Sequence, residues 1–182
     1  MTNNIFSKTL PDAEGDVHRG LQVVEMACGI PSLIQGKIFK RNPDSIILLG
    51  ETLQSLTADL DIRSYREPLG VTAGVAPFNF PAMIPLWMYP VSLMCGNTFI
   101  LKPSERVPGA GHMLVELMLE AGLPAGCLNV VHGAHDCVNF ICDNKHIKSV
   151  SFVGGNGAGE HINSRAAGQN GKRVQVNLII FR

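Results

Sequence analysis

Residues 70–81 read Gly-Val-Thr-Ala-Gly-Val-Ala-Pro-Phe-Asn-Phe-Pro, and residues 96–105 read Gly-Asn-Thr-Phe-Ile-Leu-Lys-Pro-Ser-Glu. An apolar run rich in Met, Leu and Ile joins them and ends at Cys95. Val71–Ala76 is a short apolar stretch bounded by Gly70 and Pro77, which predicts a buried strand. Pro81 suits the opening of a helix, because an N–H is not needed in the first turn. The helix should run over 82–95 and stop at Gly96-Asn97. Thr98–Leu101 predicts a second buried strand, with Lys102, Pro103, Ser104 and Glu105 at its carboxyl end. A strand–helix–strand unit of this kind gathers polar groups where parallel sheets bind ligands.

The same alternation continues downstream. Pro108–Ala121 predicts a helix stopped by Gly122 and Pro124, and Leu128–Val131 a strand. Ala134–Cys142 predicts a helix with Val138 and Ile141 inward. Ile147–Val153 follows as a strand, Glu160–Ala167 as a helix, and Lys172–Phe181 as a last strand with Val174, Val176 and Leu178 on one face. This order predicts an α/β fold, a Rossmann-like parallel sheet with helices on both faces. Val71–Ala76, Thr98–Leu101, Leu128–Val131 and Ser149–Val153 should be its neighbouring central strands.

Upstream, residues 8–27 predict a helix whose apolar face carries Val17, Leu21, Val24, Met26 and Ala27. Asp12, Glu14 and Asp16 place acids early in it, which suits the helix dipole. Leu60–Tyr65 predicts an edge strand leading to Pro68.

Bulk properties narrow the function. The chain has 182 residues, one domain's length, and 46% hydrophobic residues, enough for a real core. Fifteen Lys+Arg balance fifteen Asp+Glu, and no basic block occurs, which argues against nucleic acid and membrane surfaces as partners. The prolines within the apolar run leave it short of a spanning helix. No transit peptide or signal is visible at Met-Thr-Asn-Asn. The five cysteines, Cys28, Cys95, Cys127, Cys137 and Cys142, form no CxxC pair, which predicts free thiols in a reducing compartment. The scattered histidines lack metal-ligand spacing, so no metal site is expected.

Three groups could carry chemistry. Lys102 and Glu105 at a strand end suit ribose, whose vicinal hydroxyls can donate to a carboxylate and accept from an ammonium; a plain surface ion pair is the alternative. Residues 154–159, Gly-Gly-Asn-Gly-Ala-Gly, follow a strand and open a helix, where backbone N–H groups can face a phosphate. The spacing is GxGxG with Glu160 next, so it is a weak dinucleotide signature taken alone. Asn79 is a neutral donor or, equally, a helix cap.

Ala-Pro-Phe-Asn-Phe-Pro at 76–81 together with Lys-Pro-Ser-Glu at 102–105 resembles the NAD-binding core of the aldehyde dehydrogenase superfamily. Pro77–Met88, Lys102–Ala110 and Asn139–Gly154 resemble its CoA-acylating methylmalonate-semialdehyde dehydrogenases, and the likeness covers most of Ser7 to Asn177. The resemblance implies NAD as cofactor, with Ala76, Phe78, Lys102, Glu105, Arg106 and Gly155 as binding positions. It implies that Asn79 donates to the thiohemiacetal oxyanion and that coenzyme A is the co-substrate. The full-length enzymes are homo-oligomers, and the mitochondrial matrix is the implied location. Gly155 departs from the family, which carries Ser there. Residues 36–50 interrupt the pattern and read as an inserted loop. Asn177 stands where many aldehyde dehydrogenases carry a water-activating Glu, as the acylating enzymes also do without.

The family's cysteine nucleophile belongs to a stretch beyond the strand at Lys172–Asn177, and no cysteine follows Cys142. The expectation is therefore a partial NAD-binding domain over 1–182 without the catalytic domain, inactive alone. The alternative is a non-catalytic nucleotide-binding or subunit-interaction module.

Overall fold

The computed structural model describes residues 8–35, 37–39 and 62–178. Its centre is a five-stranded sheet, every neighbouring pair of which is parallel. Two short strands, β1 (Lys37–Phe39) and β2 (Ile62–Ser64), pair antiparallel in a separate ribbon. The central strands are β3 (Val71–Val75), β4 (Thr98–Lys102), β5 (Leu128–Val130), β6 (Ile147–Gly154) and β7 (Arg173–Leu178), in the spatial order β5-β4-β3-β6-β7. The chain builds outward from β3 through β4 to β5, then returns to the other side of β3 with β6. That reversal is the point at which open α/β sheets form a ligand crevice, at the carboxyl ends of the strands.

Helices cover both faces. Along each strand successive side chains point to opposite sides. Phe99 and Leu101 of β4 and Val153 of β6 therefore share one core with Met83, Ile84, Leu86 and Tyr89 of α3 (Met83–Met94) and Val115 of α4 (Pro108–Glu120). Ala73 and Val75 of β3 with Val150 and Phe152 of β6 face the other core. It holds Ile141 and Cys142 of α5 (His135–Asp143) and Ile162 of α6 (Asn156–Ile162). Gly74 is glycine for a packing reason: a Cβ there would meet the Phe99 ring and the Met88 sulfur.

Several expectations are corrected. α3 begins at Met83 with Ala82 as its cap, so Pro81 precedes the helix and residues 78–82 form bends and turns instead. The helix after the glycine loop starts earlier, at Asn156, and runs on as a π-helical segment, Asn163–Gln169. Leu178 is half-exposed, and its side chain lies beside that of Val176 against Gly159 of α6. The strand expected over Leu60–Tyr65 exists as β2, but it pairs with β1 and not with the main sheet. β1 also claims Lys37–Phe39 from the segment read as an inserted loop; residues 36 and 40–50 of that reading lie outside the described residues.

The first helix, α1 (Leu10–Cys28), packs on α3 through Ala13, Asp16, Gly20 and Ala27, while Val17, Leu21 and Met26 face outward. The buried stripe is the small-residue one, because two helices approach closely only where side chains are short. A Cβ on Gly20 would overlap the Leu86 side chain. Asp16 lies in this stripe with no exposed surface, so it is no first-turn dipole acid.

Candidate functional site

The site residues lie at the carboxyl end of the sheet because register aligns the strand ends there. Val75 of β3 is level with Lys102 of β4 and with Phe152 of β6. The backbone N–H of Ala76 donates to the Lys102 carbonyl at 3.0 Å, carrying the ladder one residue past β3. The Ala76–Asn79 turn and the Lys102–Arg106 turn therefore leave the sheet side by side. Gly154 and Gly155 leave it from β6, on the other side of β3.

Lys102, the last residue of β4, is a buried cation. The residue is 3% exposed. Its ammonium donates to the Pro103 carbonyl at 3.1 Å and to Glu105 Oε2 at 3.2 Å, leaving a third N–H for another acceptor. The Glu105 side chain is 55% exposed and its carboxylate reaches outward. A hydrogen bond from its own backbone N–H, with the Lys102 ammonium and the Arg106 guanidinium, holds that carboxyl below its ordinary value against partial desolvation. Ser104 Oγ accepts from the Arg106 N–H at 3.3 Å and fixes the turn. The Arg106 guanidinium lies over the Phe78 ring, so the two turns touch. An acceptor carboxylate and a buried ammonium held three residues apart match a vicinal diol.

Asn79 is half-buried, and its Oδ1 is buried without a hydrogen bond. An amide oxygen left without a donor does not fix the carboxamide, whose NH₂ is the group able to donate. Gly155 caps α6 with φ −73° and ψ 155°, ordinary extended backbone, and a Cβ there would meet nothing within 4 Å. Nothing in the packing demands glycine at this position.

The structure thus brings Ala76, Phe78, Asn79, Lys102, Glu105 and Arg106 to adjacent turns, with Gly155 at the next strand end. It does not bring a thiol to them. Cys95 follows α3 and Cys127 precedes β5, both at the end of the sheet where strands begin. Cys142 is fully buried beneath the opposite face, and burial pushes its thiol up. Cys137 packs against that same opposite core, and Cys28 is exposed in the last turn of α1. Among the described residues no group of three metal-ligating side chains occurs, and no helix is long and apolar enough to cross a membrane. An apolar groove of about 470 Å³ between α1 and α4, lined by Leu10, Val17, Leu21, Leu114 and Leu117, holds none of the site residues.

Sequence reasoning missed two residues that hold this architecture. Asp16 accepts the Met83 N–H at the start of α3. Lys172 donates to the carbonyls of Ile141 and Asn144, at 2.9 and 2.7 Å, and so closes the carboxyl end of α5. Asp16 acts across 67 residues of chain and Lys172 across 31 and 28, where periodicity carries no signal.

Comparison with known proteins identifies the family. The family model described as "Aldehyde dehydrogenase family" matches residues 3–178. The mitochondrial methylmalonate-semialdehyde/malonate-semialdehyde dehydrogenase [acylating] of Mus musculus is 59% identical over 171 residues, which are 94% of this chain and 29% of that protein. The chain thus spans under a third of that relative's length. The methylmalonate-semialdehyde dehydrogenase of Oceanimonas doudoroffii superposes with a TM-score of 0.86 at 40% identity, over 98% of this chain and 34% of that one. A Sinorhizobium meliloti protein described as a methylmalonate-semialdehyde dehydrogenase, and solved complexed with NAD, gives 0.85 at 42% identity, over 97% and 33%. With a model match over nearly its whole length and the strand order of a nucleotide-binding sheet, the chain belongs to the aldehyde dehydrogenase family.

Proposed function

We propose that this chain supplies the NAD-binding portion of a methylmalonate-semialdehyde dehydrogenase, which oxidises methylmalonate or malonate semialdehyde and passes the acyl group to coenzyme A. The observation that carries the reading is the Lys102–Glu105 pair at the end of β4, buried ammonium against exposed carboxylate. The residues present fit the cofactor: a spare Lys102 N–H, an outward Glu105 carboxylate and an open approach at Gly155.

Glu105 accepts from the ribose hydroxyls of the adenosine half, and Lys102 donates to one of them. Arg106, stacked on Phe78, closes the side of the turn. Ala76 and Phe78 lie against the nicotinamide half and exclude water from it. The Asn79 carboxamide donates to the oxyanion formed when a thiolate adds to the aldehyde, a neutral donor that needs no reorganisation. NAD, when bound, supplies the hydride acceptor. These 182 residues present no thiol to Asn79, so as a separate polypeptide they bind cofactor without turning over aldehyde. The mouse relative is mitochondrial, and the mitochondrial matrix is the location we assign to this chain.

Calorimetric titration of NAD into the purified chain tests the reading. Saturable binding in the wild type, weakened in Glu105→Ala, supports it. Wild-type binding that Glu105→Ala leaves intact overturns the ribose assignment.

A further inference from the structure

The turn that carries Asn79 is pinned at both ends and in the middle. At its start, the Ala76 N–H is held by the Lys102 carbonyl at 3.0 Å. At its end, the Met83 N–H, the first of α3, is held at 3.0 Å by Oδ1 of Asp16, a side chain from α1. In the middle, the Lys8 ammonium sits 4.4 Å from the centroid of the Phe80 ring and 3.6 Å from Asp16 Oδ2. Asp16 has no exposed surface, and neither its Oδ2 nor the Lys8 ammonium makes a hydrogen bond among the described residues. A buried charge is costly unless it is paired and hydrogen-bonded, and here Lys8 and the Met83 N–H are the partners.

Asn79 itself offers no alternative anchor through its oxygen, because Oδ1 is buried without a donor. Its orientation must come from the backbone on either side. Pro77 and Pro81 restrict that backbone, and the remaining freedom is at the junction with α3. An ordinary helix cap comes from the chain just before the helix. Here that place is Ala82, which has no polar side chain, and the acceptor comes from another helix.

We infer that Asp16, assisted by Lys8, is a positioning residue for Asn79: it ties α1 to the first N–H of α3 and so sets the turn that aims the carboxamide. The inference rests on reading Asn79 as the oxyanion donor. It adds a buried acid some sixty residues upstream to the groups that determine where the donor points.

The test uses the full chain. Nitrogen–proton spectra resolve the Asn79 carboxamide, assigned by its loss in Asn79→Ala. Asp16→Leu removes the acceptor; it should move the carboxamide signal and the amides of Phe80 and Met83, while the amides of β4 and β6 stay in place. Asp16→Asn keeps an acceptor oxygen and should return these signals close to wild type. Lys8→Met should move the Phe80 and Asn79 signals and leave Met83 near its place. If Asp16→Leu does not fold, Asp16→Asn and Lys8→Met still decide. An unmoved carboxamide in folded Asp16→Leu, or in Lys8→Met, overturns the inference. So does a displacement spread evenly over the whole sheet, the mark of a merely structural acid. Parallel titrations use ADP-ribose, which has every part of NAD except the nicotinamide ring, and NAD. Asp16→Leu should lose about tenfold for NAD, the equivalent of one hydrogen bond, with ADP-ribose affinity retained. Equal loss for both ligands counts against it. A wild type that binds neither overturns the cofactor reading, and the spectra still decide the role of Asp16.

Discussion

The guanidinium of Arg106 lies 5.1 Å from the centroid of the Phe78 ring. It joins the turn after β4 to the turn after β3, two segments whose neighbouring strands are in register at Val75 and Lys102. A contact at this exposure is worth about 0.5–1 kcal/mol. Arg106→Ala should therefore lower stability by no more than about 1 kcal/mol. It should weaken NAD severalfold, and more than Arg106→Lys, which keeps a cation. Thermal melts and calorimetry on the three proteins check this.

Glu105→Ala should weaken NAD about tenfold or more, since charge-assisted hydrogen bonds contribute roughly 1.5–3 kcal/mol. The effect should depend on pH in one direction. The Glu105 carboxyl is held below its ordinary value by its own backbone N–H and by Lys102 and Arg106. Its contribution is thus fully present at and above the ordinary glutamate value, and is lost only as pH falls through the lowered one. Titrations from neutral pH down to about 4.5 should show the ratio of wild-type to Glu105→Ala affinity unchanged.

Gly155→Ser should strengthen NAD binding. The backbone at Gly155 suits any L residue and a Cβ meets open space. A hydroxyl there adds one hydrogen bond to a phosphate, about 1 kcal/mol or roughly fivefold in affinity. Stability should rise by a few tenths of a kcal/mol, because serine caps slightly better than glycine. Weaker binding in the variant would show that the β6 end does not meet the pyrophosphate.

Gly20→Ala should destabilise the chain although alanine is the better helix former. A Cβ at Gly20 overlaps Leu86 across the α1–α3 contact. Overpacking of this sort costs about 1–3 kcal/mol, against a propensity gain near 1 kcal/mol. Leu86→Ala in the same chain should relieve part of the overlap, so the double variant should lose less than the sum of the two single ones. Denaturant unfolding of the four proteins measures the difference.

Alkylation of the accessible thiols should leave NAD affinity within about twofold, because none of the five cysteines lies among the site residues. Cys95 stands at the far end of α3 from Asn79, about 18 Å away along twelve residues at ~1.5 Å each. The 182-residue polypeptide, given methylmalonate semialdehyde, NAD and coenzyme A, should form no NADH. Turnover abolished by replacing one of these cysteines would contradict this.

The sequence by itself determined the order of elements from Val71 to Asn177. Short apolar runs of four to six residues bounded by glycine and proline favour buried strands, and the longer runs between them suit crossover helices. It also located the Ala76–Asn79 and Lys102–Arg106 turns, because the ends of those runs are where polar side chains first become possible. Tertiary structure alone decided the rest. Strand order places β6 beside β3, and register sets Val75 level with Lys102; both depend on how two faces are filled at once. Of the apolar face expected for α1, Val24 and Ala27 do pack inward, but Val17, Leu21 and Met26 face out and Ala13, Asp16 and Gly20 take their place, because close helix contact selects for small size. Asp16 and Lys172 acquire their roles from backbone groups on other elements, a Met83 N–H and the Ile141 and Asn144 carbonyls. Unpaired groups at helix ends must be satisfied somewhere, and only the packed arrangement of helices determines which side chain reaches them.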